Sequence, residues 1–92
     1  MEIGKVYLIE TVDWFAWVGR VQSQVGPYEY RMVSVSKIHD TSAGDNWELL
    51  AAGDKAARKA AQYRHYTTAV LLGIGAVAKI EWAGGTPQEE GL

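Results

Sequence analysis

Apolar and polar residues alternate through the first forty positions in a way that predicts three β-strands. Lys5 to Val12 is dense in β-branched and aromatic residues and reads as the first strand. Asp13 breaks it, and a second strand follows from Trp14 to Val25. Its second half alternates with period two: Val21 faces in, and Gln22 and Gln24 face out. Its first half is apolar on both faces, which calls for cover on both sides, by the core and by a partner chain. Gly26-Pro27 is a turn signal, because proline fixes φ and glycine tolerates positive φ. The third strand then runs from Tyr28 to Ile38 and pairs back on the second as an antiparallel hairpin.

The period changes after His39-Asp40-Thr41-Ser42-Ala43-Gly44. Ser42 with Asp45 has a capping-box-like spacing, which predicts a short helix over Asp45–Ala52 that stops at Gly53. Asp54 can cap a second helical segment, Lys55 to Tyr63, with Ala56, Ala57, Ala60 and Ala61 as a narrow apolar stripe. Strand character returns over His65–Leu72. Gly73-Ile74-Gly75 reads as a tight turn, and Ala76–Trp82 as the last strand of a second hairpin. Residues 83–92 have loop composition and read as a flexible C-terminal tail unless a neighbour holds them. The expectation is one domain over 1–82 with a helical insert at about 42–63. Its class is mainly β with an α insert (α+β). Five short strands in two hairpins suit a bent, partly closed small barrel, with the helix between strands 3 and 4.

Composition narrows the setting. A chain of 92 residues supports one modest core. Four Trp and five Tyr supply large rings for that core or for an interface. There is no cysteine, hence no disulfide framework and no thiolate metal site, which favours an intracellular or virion setting over secretion. The N-terminal residues Met1 to Lys5 do not resemble a signal peptide. The longest apolar run, Ala69 to Ala78, falls well short of the roughly 20 residues a membrane span needs. A net charge of −2 gives no global field to draw in nucleic acid, so any such contact must be local.

Candidate chemistry is sparse. His39-Asp40 could be a base and its orienting carboxylate, but no nucleophile is tied to the pair, and a polar strand end with an Asx-turn accounts for it. Gly73-x-Gly75 is too short for a dinucleotide fingerprint. No spacing fits a metal site, no cofactor is implied, and no acid–base–nucleophile set marks an enzyme. The one positive cluster runs from the second helix into the next strand. Lys55, Arg58, Lys59, Arg64 and His65, with the ring of Tyr66, make a mixture suited to phosphates and bases, or simply a solvated helix face. Trp14, Ala16 and Val18 are the candidate interface residues on the two-sided second strand, where a core role and an interface role both fit.

Two stretches resemble Sm-like small β-barrels. Trp17-Val18-Gly19-Arg20-Val21 through Met32-Val33-Ser34-Val35 looks like the first Sm signature, in which a glycine lets strand two bend. Leu72-Gly73-Ile74-Gly75-Ala76-Val77-Ala78-Lys79-Ile80 looks like the second, a glycine turn followed by a strand. The chain also resembles short phage and prophage proteins with a Gly-Arg after an aromatic strand (Trp17 to Arg20), an Ile-x-Asp-Thr segment (Ile38 to Thr41) and a late strand ending at Trp (Gly75 to Trp82). The resemblance implies an Sm-like or SH3-like barrel that assembles with itself, as a homo-oligomer or ring. It departs where Sm proteins contact RNA: Gly26-Pro27-Tyr28 and Leu72 stand in place of polar and basic residues. The expected function is a non-catalytic phage-type accessory protein that binds a nucleotide or nucleic acid. The alternative is a virion structural or head-associated protein that contacts other virion proteins.

Overall fold

The structure is a computed structural model, and it describes residues 1–13, 15–40 and 47–92. Six strands and two short helices follow in the order β1 (Val6–Thr11), β2 (Ala16–Gly26), β3 (Glu29–Asp40), α1 (Trp47–Ala52), α2 (Lys55–Ala60), β4 (Gln62–His65), β5 (Val70–Leu72) and β6 (Ala76–Glu81). All pairings are antiparallel. The sheet order is β4-β3-β2-β1-β6, with β5 added beside β3.

Six strands stand where five were expected: Gln62–His65, which reaches back into the expected helix, forms β4, and of the expected strand His65–Leu72 only its last part, Val70–Leu72, follows as β5. β4 pairs with the end of β3, from Ser36↔His65 to Asp40↔Gln62. β5 pairs with its beginning, from Tyr30↔Leu72 to Met32↔Val70. The expected hairpin between the last two strands is also absent among the described residues: β5 lies on β3 and β6 lies on β1. The chain crosses from one to the other through Gly73–Gly75, and the described strands form an open sheet with edges at β6 and at β4 and β5.

β2 and β3 are long and bent, so each serves two layers. Gly19 makes the bend possible: a Cβ there would lie 2.8 Å from Val35 Cγ2 and 3.3 Å from Met32 Cβ. The register shifts between Val18 and Arg20, and Ser34 opposite takes a φ of 52°. That irregularity moves the inward set of β3 from Tyr30 and Met32 to Val35, which a regular period of two cannot do. The sheet therefore has two apolar faces. Val6, Leu8, Ala16, Val18 and Ile38 pack under α1 and α2 against Trp47, Leu50 and Trp82. Ile9, Val21, Met32, Val35 and Leu72 fill the other side.

The Ala16–Val18 face of the doubly apolar start of β2 is thus covered by this chain itself, while Phe15 on the other face stays exposed. Ala16 and Val18, expected at a subunit interface, are 0% exposed beneath the chain's own helices and have no surface to offer a partner. Trp14, the third expected interface residue, lies outside the described residues, as does the Ser42–Asp45 cap.

Asp54 caps α2 as its position predicts, accepting from the Ala57 amide at 2.8 Å. The helix ends at Ala60, earlier than the expected Tyr63. Ala61 is already extended, and the Tyr63 ring packs on the helix-side core while its hydroxyl donates to the Arg58 carbonyl at 2.9 Å. Of the expected alanine stripe, Ala57 and Ala61 are buried and Ala56 and Ala60 are exposed.

Residues 83–92 fold back on the sheet, with Thr86 and Pro87 buried. Gln88 donates to the carbonyls of Val35 (2.6 Å) and Tyr66 (2.9 Å). Glu89 receives the Arg20 guanidinium on both oxygens, at 2.7 and 3.0 Å. That contact holds the Glu89 carboxyl below its ordinary pKa and the Arg20 guanidinium above its own. A depressed carboxyl contributes stability above its unfolded pKa and loses it as pH falls through the folded value. Acidification through and below the ordinary glutamate range is therefore expected to loosen this segment first. Hydrogen exchange at Glu89, Glu90 and Leu92 checks this: protection should drop with pH in the parent and be low at all pH values in Arg20→Ala.

Candidate functional site

The helix α2 and the returning C-terminal segment enclose a groove of about 470 Å³, lined by Gly53, Lys55, Arg58, Lys59, Glu90 and Leu92. Lys55 and Lys59 are a helical turn apart on one face, both exposed. Neither has an ion-pair partner among the described residues.

Arg58 is different in kind. Its Nε donates to the Leu50 carbonyl at 2.8 Å and its Nη2 to the Ala51 carbonyl at 3.2 Å. Its guanidinium lies 3.8 Å over the Trp82 ring. Burial pulls its pKa below the ordinary guanidinium value, and the nearby Glu90 opposes that. Arg58 thus satisfies the last carbonyls of α1, which a helix end leaves open, and its charge still borders the groove.

Among the described residues, Glu90 is the one acidic side chain lining the groove. Its Oε1 accepts from the Gly85 amide at 2.9 Å.

The other candidates divide by strand alternation. Tyr63 and His65 face the α2 side of β4, with stacked rings 6.3 Å apart. His65 Nε2 meets the Leu92 main-chain oxygen at 2.7 Å, and its Nδ1 meets Ser36 Oγ at 2.6 Å. The main-chain oxygen can only accept, so Nε2–H donates to it; with a neutral ring the Ser36 hydroxyl then donates to Nδ1. A serine beside a histidine invites comparison with nucleophilic catalysis. Ser36, however, is 0% exposed, and both histidine nitrogens are occupied within the fold.

Arg64 and Tyr66 point to the opposite face, away from α2. There the register sets Trp17 opposite Lys37 and Lys37 opposite Arg64, a row across three strands. Lys37 Nζ lies 3.5 Å from the Phe15 ring centroid and 5.1 Å from that of Trp17. Trp17 and Tyr66 centroids are 5.4 Å apart, and Arg64 lies 5.5 Å over Tyr66. The sequence cluster Lys55–Tyr66 is therefore two surfaces. One is a groove with Lys55, Arg58 and Lys59. The other is a cation–aromatic row, where the cations already occupy the ring faces a base would need.

Sequence reasoning missed Glu90, Leu92, Gly53 and Lys37. The first two come from the segment read as a loop tail. Lys37 was hidden because it acquires its neighbours only through strand register. His39 and Asp40 end β3, with the His39 side chain exposed. Among the described residues no three of His, Asp and Glu gather as metal ligands, and no helix is long and apolar enough to cross a membrane. Comparisons with protein-family models, with curated proteins and with solved structures find no match to this chain.

Proposed function

We propose that this chain is a non-catalytic accessory protein of phage type, working as a homo-oligomer in the host cytoplasm or the virion, that binds phosphate groups of a nucleotide or nucleic acid in the α2 groove. The observation that carries the reading is the juxtaposition of Lys55, Lys59 and the Arg58 guanidinium on one groove of about 470 Å³. That volume falls in the range of roughly 300–1,000 Å³ that ligand sites occupy. Two ammonium groups a turn apart, unpaired among the described residues, suit a phosphate better than any neutral ligand. The non-catalytic part is supported by the burial of Ser36 and the full occupation of His65. An Sm-like or SH3-like, barrel-type reading of the bent sheet is supported by the last strand joining the first and by the bend at Gly19.

The test is calorimetric titration with inorganic phosphate, a nucleoside triphosphate and a short single-stranded oligonucleotide. Lys55→Glu/Lys59→Glu is expected to weaken binding by about tenfold or more, and parental affinity should fall as salt rises. A parent that binds none of the three ligands sinks the proposal, as does a double variant that binds equally well.

A virion structural or head-associated role is the second reading. It is favoured by apolar side chains exposed at turns on one end of the molecule: Tyr28 at 72%, Ile74 at 71% and Val12 at 68%. The main chain brings these turns together, with the Val12 amide bonded to the Gly75 carbonyl and Gly73 against the Tyr28 carbonyl. Mass spectrometry of purified particles decides it, since a head-associated protein must be found in them.

A further inference from the structure

The strand β6 ends the sheet. It pairs with β1 on one side and with no strand on the other among the described residues. The Trp82 amide donates to the Val6 carbonyl at 2.9 Å. By alternation, Ala78, Ile80 and Trp82 turn their main-chain groups toward β1, and Lys79 and Glu81 turn theirs outward; the register shift between Glu10 and Thr11 interrupts the alternation at Val77. The side chains of Lys79 and Glu81 are exposed. Such a row of free N–H and C=O groups is a template for one more strand. Ala83 ends the row, because its amide is committed to the Ala51 carbonyl at 2.9 Å.

The charges on this row select the occupant. A lysine in mid-edge discourages indiscriminate strand addition. A second copy of β6, laid antiparallel about a two-fold axis at Ile80, answers it: Lys79 then faces the partner's Glu81, and Glu81 faces the partner's Lys79. Moving the axis to Lys79 sets that lysine against its own copy, and moving it to Ala78 sets it against the partner's Val77. Directly opposed charges of unlike sign favour a register, and like charges disfavour it. Glu81 Oε1 meets Lys5 at 3.3 Å, an exposed pair that leaves Oε2 for the added contact.

We propose that the chain forms a two-fold dimer by antiparallel β6–β6 pairing, in the register that sets Lys79 opposite Glu81 of the second copy. This sharpens the homo-oligomer part of the reading above and is independent of phosphate binding.

Sedimentation equilibrium of the full chain tests it. The parent is expected at twice the 10.1 kDa of one chain, dissociating on dilution. Lys79→Glu and Glu81→Lys should each be monomeric with unchanged circular dichroism. Lys79→Glu/Glu81→Lys should recover the dimer, which a merely structural role of either residue would not produce. Failure of that recovery overturns the register. A parent mass above two copies overturns the two-fold edge while leaving a homo-oligomer standing. A monomeric parent overturns both, and phosphate titration of the same samples reports on the groove separately.

Discussion

Gly73→Ala is expected to lower stability by about 3 kcal/mol, a fall of roughly 15 °C in melting temperature. Gly73 has a φ of 128°, where side chains are strained. A Cβ there would also lie 2.1 Å from the Tyr28 carbonyl oxygen and 3.1 Å from its carbon. Both atoms are backbone, so no rotamer change relieves the clash. The chain must move either the β2–β3 turn or the start of the crossing to β6. Gly75→Ala is the control: φ is 78°, but nothing lies within 4 Å of an added Cβ. Its cost should be about 1 kcal/mol. Thermal unfolding of the two variants separates close approach from conformational freedom. Equal losses would refute the packing of Gly73 on Tyr28.

Arg58→Ala should cost about 2 kcal/mol, through two lost hydrogen bonds to the α1 carbonyls and the lost stack on Trp82. Arg58→Lys should restore little of this, because an ammonium cannot supply two directed bonds and a flat face together. Lys55→Ala, on the same groove, should change stability by no more than about 0.5 kcal/mol. Urea unfolding distinguishes them. Full rescue by lysine would mean that Arg58 contributes charge alone. This contrast matters for function, since it separates the residue that builds the groove from those free to bind in it.

Local pattern reveals the parts of this fold governed by local physics. The first three strands, the Asp54 cap and the burial of Val21 ahead of exposed Gln22 and Gln24 all follow from period and turn chemistry. The split of the fourth strand does not. β4 and β5 are separated by Tyr66–Ala69, a stretch whose composition is as strand-like as its flanks, and the bend of β3 decides where each half can pair. The helix boundary at Ala60 was missed for a similar reason. Tyr63 joins the core by leaving the helix, a tertiary gain that outweighs the helical preference of an alanine-rich segment.

The site shows the same division. Lys55 and Lys59 could be placed on one surface from helical spacing alone. Assigning Arg64 and Tyr66 to that surface failed because the chain changes from a 3.6-residue to a two-residue period between Ala60 and Gln62. Glu90 and Leu92 were invisible as lining residues. What fixes them is Arg20 gripping Glu89 and Gln88 reaching two carbonyls, contacts made across the fold. Loop composition carries no trace of such partners.

The most direct test of the phosphate groove is a residue-resolved titration. Amide resonances of the nitrogen-15-labelled chain would be followed as inorganic phosphate and then a short oligonucleotide are added. The account predicts saturable shifts concentrated at Gly53, Lys55, Lys59 and Leu92, and their loss in Lys55→Glu/Lys59→Glu. Shifts confined to the Phe15, Trp17 and Lys37 face, or no saturable shift at all, would contradict it.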